Sequence, residues 1–110
     1  MARTLLTQRI SAAAGVGQLA VVAPSGGRRV VVDAVDITLT DAAGTIMFCN
    51  QDGSHTQISG QYYVLQGIPL VMAYAAEPGY YFRTNISRGL WVQNTAARME
   101  GTITYHLGVL

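Results

Sequence analysis

From Gln18 to the end of the chain, hydrophobic residues alternate with polar or small ones in short runs, and Gly, Pro, Asn and Asp separate the runs. A period of two is typical of a half-buried β-strand, and the separating residue types are typical of turns. The last run alternates most regularly, with Ile103, Tyr105, Leu107 and Val109 on one face. The pattern predicts strands at residues 18–23, 28–39, 45–50, 54–59, 61–65, 68–75, 80–85, 90–94 and 102–109.

The second run, residues 28–39, changes the face on which its large side chains lie. Val30 and Val32 share one face, whereas Val35 and Ile37 occupy positions of opposite parity. One extra residue in a strand, a β-bulge, produces such a change. We therefore expect a bulge or bend near residues 33–34, and we expect the bent strand to be able to contribute to both sheets of a sandwich.

Two turn signals define the neighbouring strands. Asp52-Gly53 tolerates the positive φ of a tight primed turn, so it predicts a hairpin that joins residues 45–50 to residues 54–59. Pro69 has no N–H to donate to a ladder and therefore marks the start of a strand or a sheet edge.

Short strands at this spacing, with no convincing helix among them, predict an all-β antiparallel sandwich or barrel rather than a parallel sheet.

The N-terminal segment, residues 1–17, differs from the rest of the chain. Residues 11–17 are mostly Ala, Gly and Ser, so they offer little to anchor the segment. A short helix over residues 3–13 is the alternative on propensity, but an isolated helix of this length is marginal in water. We therefore expect residues 1–17 to form an extended N-terminal arm that becomes ordered on a partner, and residues 18–110 to form a single β-sandwich domain.

The composition restricts the partners of such a domain. Half of the residues are hydrophobic and 12% are charged, which is about half the usual charged share. The exterior is therefore either unusually apolar or covered by neighbours, and we expect cover by partner molecules. The net charge of +1 provides no electrostatic surface for nucleic acid or for an anionic membrane, so neither is expected as a partner.

Residues suited to catalysis or metal binding are few and form no known pattern. His55 and His106 have no nucleophile or orienting carboxylate at a recognisable spacing, so we assign them no catalytic role. Together with Cys49 they reproduce no metal-site spacing, and we expect neither a metal nor a cofactor. Cys49 lies in an apolar run and is expected to be a buried reduced thiol, which indicates folding in a reducing compartment. The sequence therefore predicts a protein that is not an enzyme.

The aromatic residues are the other candidate site. Neighbouring residues of a strand point to opposite faces, so one member of a pair such as Tyr62-Tyr63 enters the core while the other faces outward. An outward Tyr anchors an interface well, and a row of them also stacks on sugar rings. We expect core packing plus a subunit or partner contact, with sugar binding as the alternative. The residues expected at this interface are Tyr62, Tyr63, Tyr80, Tyr81, Arg83, Arg88 and Trp91.

Three segments of the chain form a recognisable pattern. Residues 18–32 combine a hydrophobic strand that ends in Pro-Ser-Gly-Gly with an Arg pair and a Val-rich strand. Together with residues 44–53 and 101–107, they resemble the small β-sandwich decoration (cement) proteins of tailed-bacteriophage capsids. The resemblance implies a jelly-roll-like sandwich without catalytic residues. It also implies a homo-oligomer, with a trimer favoured, that bridges neighbouring hexamers and pentamers.

The resemblance further implies the partner and the location. The chain is expected to bind the major capsid protein on the outer surface of the virion, after synthesis in the host cytoplasm. A cement protein binds the expanded shell and not its precursor, and so stabilises the expanded state by mass action. The N-terminal arm is expected to provide the contact. The arm residues assigned to it are Arg3, Leu5, Leu6, Arg9 and Ile10.

Two other functions are left open by the sequence. Jelly rolls often serve as carbohydrate- or receptor-binding modules, as on a phage fibre, and exposed aromatic residues in a groove would favour that function. A structural protein of the tail or baseplate would follow the same assembly physics as a head protein, and the sequence does not separate the two.

Overall fold

The computed structural model describes residues 4–75 and 79–109, and every helix or strand element within them is a β-strand. The strands are β1 (Leu6–Ala12), β2 (Gln18–Val21), β3 (Arg29–Leu39), β4 (Gly44–Gln51), β5 (Tyr62–Val64), β6 (Leu70–Met72), β7 (Phe82–Arg83), β8 (Gly89–Asn94) and β9 (Met99–Gly108). The prediction of an all-β chain is therefore confirmed.

The strands form two antiparallel sheets that pack face to face. The first sheet has the order β1-β9-β3, and β6 and β7 lie end to end along the other side of β3. The second sheet has the order β2-β8-β4-β5. Because β6 and β7 share the place of one strand, this order is that of a jelly roll, as predicted. The edge strands β1 and β2 contact each other, so β5 and β6 lie on the opposite side of the sandwich.

An aromatic group connects the two sheets near β5 and β7. The ring of Phe48, from β4, stacks on Phe82 with 4.8 Å between the ring centroids and meets the ring of Tyr62 edge-on at 6.5 Å. Such pairs stabilise a core beyond the area that they bury. Since Phe82 belongs to the first sheet and the other two rings to the second, the group holds the sheets together on this side.

Strand β3 contains the expected bulge. Its register with β9 shifts between Val32 and Ala34. Val30 before the shift and Val35 and Ile37 after it are all buried in the same core, which explains the change in parity. The expectation that this strand contributes to both sheets is wrong, because its pairing partners β9, β6 and β7 all belong to the first sheet.

Strand β1 corrects the expectation of a free N-terminal arm. The segment is extended, as expected, but residues 6–12 pair with β9 along their whole length. Ile10 is completely buried in the core, and Ala12 is nearly so. The pattern of the sequence conceals this strand because Ile10 is the one large side chain that β1 buries completely. The helix considered for residues 3–13 does not form in the described residues.

The tight turn predicted after β4 is present, but residues 54–59 do not form the second strand of the predicted hairpin. They contribute one bridge to the second sheet, between Cys49 and Gln57. The positive φ falls on His55, at 47°, rather than on the Asp-Gly pair. The Asp52 carboxylate accepts two backbone N–H groups of the turn, at 2.9 and 3.1 Å. These hydrogen bonds satisfy the turn locally, so it needs no regular ladder.

Candidate interaction surfaces

The side of the sandwich formed by β5 and β6 exposes a group of large hydrophobic side chains. Tyr63 is 70% exposed on the outer face of the second sheet, and Val71 is 59% exposed on the outer face of the first. Between them, the connection from β5 to β6 exposes Leu65 and Ile68, and Tyr74 follows β6. We call these side chains the β5–β6 edge.

The stretch of sequence that forms the β5–β6 edge has no charged side chain, although the exposed Asp36 of β3 lies directly opposite Val71. No Lys, Arg, Asp or Glu occurs between Asp52 and Glu77. Exposed edge strands are commonly protected against association by charged side chains, and an exposed apolar group without them marks an interaction surface. The aromatic pattern includes Tyr63 and Tyr74 and misses the aliphatic members of the edge, Leu65, Ile68 and Val71. The uncharged stretch is the signal in the sequence that indicates them.

The opposite side of the sandwich also exposes hydrophobic side chains. They are Leu5, Leu6, Val16, Leu19 and Val22, and we call them the β1–β2 side. Here a polar side chain protects the edge of the sheet: the Gln18 amide oxygen accepts the N–H of Ser11 at 2.7 Å, and its nitrogen donates to the carbonyl oxygen of Arg9 at 3.1 Å. The amide thus occupies backbone groups that a further strand would use.

The residues predicted to contact a capsid differ in their exposure. Leu5 and Leu6 are exposed, and the side chain of Arg9 extends into solvent beside them on β1. Ile10 is corrected: it is completely buried between the sheets, so it cannot contact a partner while the sandwich is folded. Arg3 lies outside the described residues.

Glu100 organises the charged groups beside β1. Its carboxylate accepts hydrogen bonds from the Ser11 hydroxyl at 2.8 Å and from Arg98 Nε at 2.7 Å, and Arg9 Nη2 lies 3.6 Å away. These contacts, the Ser11 hydrogen bond first, hold the pKa of Glu100 below its usual range. The carboxylate therefore stays ionised into mildly acidic solution and keeps this rim of the sheet polar.

The lowered pKa of Glu100 predicts a pH dependence of stability. Its carboxylate contributes stability that is present above the usual Glu pKa of about 4.3 and is lost as the pH falls through the lower, folded value. We expect Glu100→Gln to reduce stability at neutral pH and to lessen its decline in acid. Ser11→Ala should give a smaller change in the same direction. Chemical denaturation at a series of pH values measures both, and identical acid sensitivity of wild type and Glu100→Gln would contradict this role.

The bulge in β3 positions a group of tyrosines beside β7. The carbonyl oxygen of Asp33 accepts the N–H of Ala75 at 2.8 Å, and the carbonyl oxygen of Val32 accepts the N–H of Tyr81 at 2.9 Å. Both ends of the excursion between β6 and β7 are therefore bonded to the bulge. The exposed tyrosines of this excursion are Tyr74, Tyr80 and Tyr81.

An acid–imidazole pair stabilises the same bulge. The Asp33 carboxylate is completely buried, and its Oδ2 lies 2.6 Å from Nδ1 of His106, which is largely buried. His106 and Arg83 pair with Val31 from its two sides, so the three side chains form a row on the outer face of the first sheet. The Arg83 guanidinium lies 5.3 Å from the ring centroid of Tyr80. The sequence gives no role to His106, but in the structure it stabilises the bulge that positions the exposed tyrosines.

Trp91 packs against two turns of the chain. Its ring stacks on that of His55, with 4.2 Å between centroids and 14° between planes, and its Nε1–H donates to Gln93 Oε1 at 2.9 Å. The backbone of Gly17 approaches so closely that a Cβ there would lie 2.7 Å from the Trp91 ring. These contacts attach the β1–β2 turn and the turn after β4 to the second sheet.

The other predicted interface residues lie in different parts of the surface. Tyr62 packs on the core and its neighbour Tyr63 faces outward, as the alternation of a strand predicts. Arg88 is exposed near Asp52, whose pKa is lowered by hydrogen bonds from Thr56 and, to a smaller extent, by the Arg88 charge. The predicted interface residues therefore do not form a single patch.

Cys49 is buried, as expected, and burial raises the pKa of its thiol, which makes it a poor nucleophile. In residues 4–75 and 79–109, no group of three or more His, Cys, Asp or Glu side chains is arranged to hold a metal ion. The same part of the chain has no helix of the length and apolarity that a membrane crossing requires.

Comparison with protein-family models, with curated proteins and with solved structures finds no match to this chain. The functional argument therefore depends on the surfaces themselves. Apolar side chains on two opposite sides of a sandwich are suited to binding other macromolecules, and the exposed tyrosines beside β7 are suited to stacking.

Proposed function

We propose that this chain is a structural virion protein that decorates the outer surface of a tailed-phage head and stabilises its expanded shell. One observation supports the proposal above all: a single small sandwich exposes apolar groups on two opposite sides, the β1–β2 side and the β5–β6 edge. A molecule that bridges neighbours needs two separate contact surfaces, whereas an isolated monomer gains no stability by exposing either one. The low share of charged residues, 12%, agrees with an exterior that neighbours cover.

In this proposal the β1–β2 side contacts the shell. It combines the exposed apolar side chains of Leu5 and Leu6 with the guanidinium of Arg9, a group suited to carboxylates on a partner. Full burial of an exposed Leu contributes about 1.5–3 kcal/mol. Leu5 is 43% exposed and Leu6 is 40% exposed, so contact with a shell adds only part of that amount for each. Because β1 is already ordered in the sandwich, binding does not have to offset the conformational entropy of a free arm.

The stabilisation needs no chemical step. A ligand that binds the expanded shell and not its precursor shifts the equilibrium towards the expanded shell by mass action. At a free concentration of 100 times Kd, the shift is about 2.7 kcal/mol for each site. Many sites on one shell therefore give a large total effect even when each contact is modest.

Cosedimentation with heads tests the proposal. The purified chain is mixed with expanded heads, and separately with precursor heads, assembled from the major capsid protein encoded in the same genome. We expect saturable binding to expanded heads, a higher temperature of shell disruption, and no binding to precursors. Leu5→Asp should weaken this binding at least about tenfold, because a contact side chain becomes charged. Val109→Asp, which changes an exposed residue outside both surfaces, is the matched control. Absence of saturable binding to expanded heads would contradict the proposal.

A second function, binding of carbohydrate, is favoured by the tyrosines Tyr74, Tyr80 and Tyr81, which are exposed together on the excursion beside β7. Aromatic rings present apolar faces on which sugars stack. A glycan array separates the two functions. A defined glycan whose binding is lost in Tyr80→Ala, combined with no affinity for heads, would favour a receptor-binding module of a phage fibre. Retention on tails instead of heads would favour a tail or baseplate protein.

A further inference from the structure

We propose that the outer face of the first sheet, around Arg29, binds the carboxylate group of an acidic saccharide. The inference rests on the second of the proposed functions, carbohydrate binding, because it names the class of saccharide and adds a charged subsite to the exposed tyrosines. It gives a role to Arg29, which belongs neither to the aromatic pattern nor to the two apolar surfaces.

Arg29 carries a guanidinium group without a counter-charge. Its Nε atom is buried and has no hydrogen-bond partner among the described residues. No ion pair between described residues includes this side chain. Burial of a charged group without a partner costs free energy, because the group loses contact with water and gains nothing in return. Arg29 as a whole is partly exposed, so an anion from solvent can reach the side chain and supply the missing charge.

The pairing of β3 places Arg29 beside two other nitrogen-bearing side chains. Arg29 and Val31 face outward on the first sheet, because the valine between them is buried in the core. Val31 pairs with Arg83 of β7 on one side and with His106 of β9 on the other. Arg83 and His106 are therefore diagonal neighbours of Arg29, and such positions lie about 7–8 Å apart, within reach of long side chains.

The position opposite Arg29 leaves room for a ligand. Arg29 pairs with Gly108 of β9, which has no side chain. A Cβ on Gly108 would lie 3.2 Å from Val31 Cγ2 and 3.8 Å from His106 Nε2. Nδ1 of the same imidazole lies 2.6 Å from Oδ2 of Asp33, so its Nε2 is the nitrogen beside this space. The buried Val31 forms the floor of the site, and Arg29 and the imidazole form its sides.

A carboxylate fits this site better than a phosphate group. The fork of N–H groups on a guanidinium matches the two oxygens of a carboxylate, and a single negative charge balances that of Arg29. A phosphate monoester carries a charge of about −1.5 to −2 at neutral pH. It would leave excess negative charge near the Asp33 carboxyl group, which lies on the other side of Val31 along β3.

The exposed ring of Tyr80 favours a sugar as the rest of the ligand. The Arg83 guanidinium lies 5.3 Å from the centroid of this ring, so the ring adjoins the site around Val31. Tyr80 is 44% exposed, and a sugar stacks its apolar face on such a ring. A uronic acid combines both features, because its carboxylate is attached directly to the sugar ring.

Titration of the isotope-labelled chain, followed by NMR through the side-chain Nε–H resonance of Arg29, tests the inference. The ligands are sodium glucuronate, glucose and sodium acetate at constant ionic strength. Glucuronate differs from glucose in the carboxylate and from acetate in the sugar ring. We expect a saturable shift of the Arg29 resonance with glucuronate, and a dissociation constant at least about tenfold lower than for glucose or acetate.

Arg29→Met removes the charge and keeps an apolar stem. We expect it to weaken glucuronate binding at least about tenfold. The thermal midpoint should stay at or above that of wild type, because a buried charge without a partner does not stabilise the fold. The matched control is Arg28→Met. Nε of Arg28 already donates to the carbonyl oxygen of Ser25 at 2.9 Å, so this change should leave the affinity for glucuronate as it is.

Three results would overturn the inference in the wild-type chain and its variants. They are the absence of a saturable shift with glucuronate, an affinity for glucose or acetate equal to that for glucuronate, and equal weakening by Arg28→Met and Arg29→Met. A lower thermal midpoint of Arg29→Met with unchanged affinity for glucuronate would show that Arg29 serves the fold alone, and would overturn it as well.

The proposals fail in different experiments. Glycans whose binding requires Tyr80 but not Arg29 would overturn the acidic-saccharide site and leave carbohydrate binding standing. A chain that binds glucuronate through Arg29 but has no affinity for heads would overturn the decoration function alone.

Discussion

Substitution of Ile10 by Ala is expected to lower the free energy of unfolding by about 2–5 kcal/mol, the range for large-to-small changes in protein cores. Ile10 is completely buried between the sheets, and the strand that carries it pairs with β9 along its whole length. The loss is a large part of the about 5–15 kcal/mol that stabilises a typical domain. Chemical denaturation, followed by the circular dichroism of the strands, measures it.

The control for this substitution is Thr7→Ala, an exposed position on the same strand, which should change the stability by less than about 0.5 kcal/mol. Deletion of residues 1–12 should prevent stable folding, because it removes Ile10 and opens the edge of β9. If Ile10→Ala has the stability of wild type, and the deleted chain folds, the N-terminal segment is a free arm and the position of β1 in the sheet is wrong.

Replacement of His106 by Leu is expected to lower the free energy of unfolding by about 1–3 kcal/mol, the usual cost of leaving a buried polar group without its hydrogen bond. The Asp33 carboxylate is completely buried, with Oδ2 2.6 Å from the His106 imidazole. Leu at this position removes that hydrogen bond from the buried carboxyl group. The bulge holds both ends of the tyrosine excursion, so we also expect faster amide exchange at Ala75 and Tyr81.

A double variant separates the Asp33–His106 hydrogen bond from simple packing. Asp33→Asn changes the same group that His106→Leu leaves without its hydrogen bond, so the two changes together should cost clearly less than the sum of the single changes. Guanidinium denaturation of the single and double variants gives this coupling free energy. Costs that add within about 0.5 kcal/mol would show that the two side chains do not stabilise the bulge as a pair.

Much of the sandwich is predictable from local patterns in the sequence. The regular alternation around Ile103 and Tyr105 predicts β9, and the parity change between Val32 and Val35 predicts the bulge. Local patterns do not predict β1, because its stability depends on pairing with a strand near the other end of the chain. The returning strand after β4 was predicted wrongly, since the Asp52 carboxylate satisfies the turn through hydrogen bonds that the hydrophobic pattern does not report.

The candidate surfaces were predictable only in part. Tyr63 follows from the rule that neighbouring strand residues face opposite ways. The exposure of Val71 and Ile68 cannot be predicted from this rule. It depends on which strands lie at the edges of the two sheets, and that order is a long-range property. The sequence wrongly places Ile10 at a partner contact for the same reason. Ile10 is buried because β1 pairs with β9, and the local pattern does not show this long-range pairing.

Electron cryomicroscopy of expanded heads saturated with this chain tests the central claim most directly, namely that both apolar sides of the sandwich are covered in an assembly. The account predicts density for the jelly roll at regular positions on the outer surface, with the β1–β2 side on the shell and the β5–β6 edge against a neighbouring molecule. Heads that carry no such density at saturating protein concentration would contradict it.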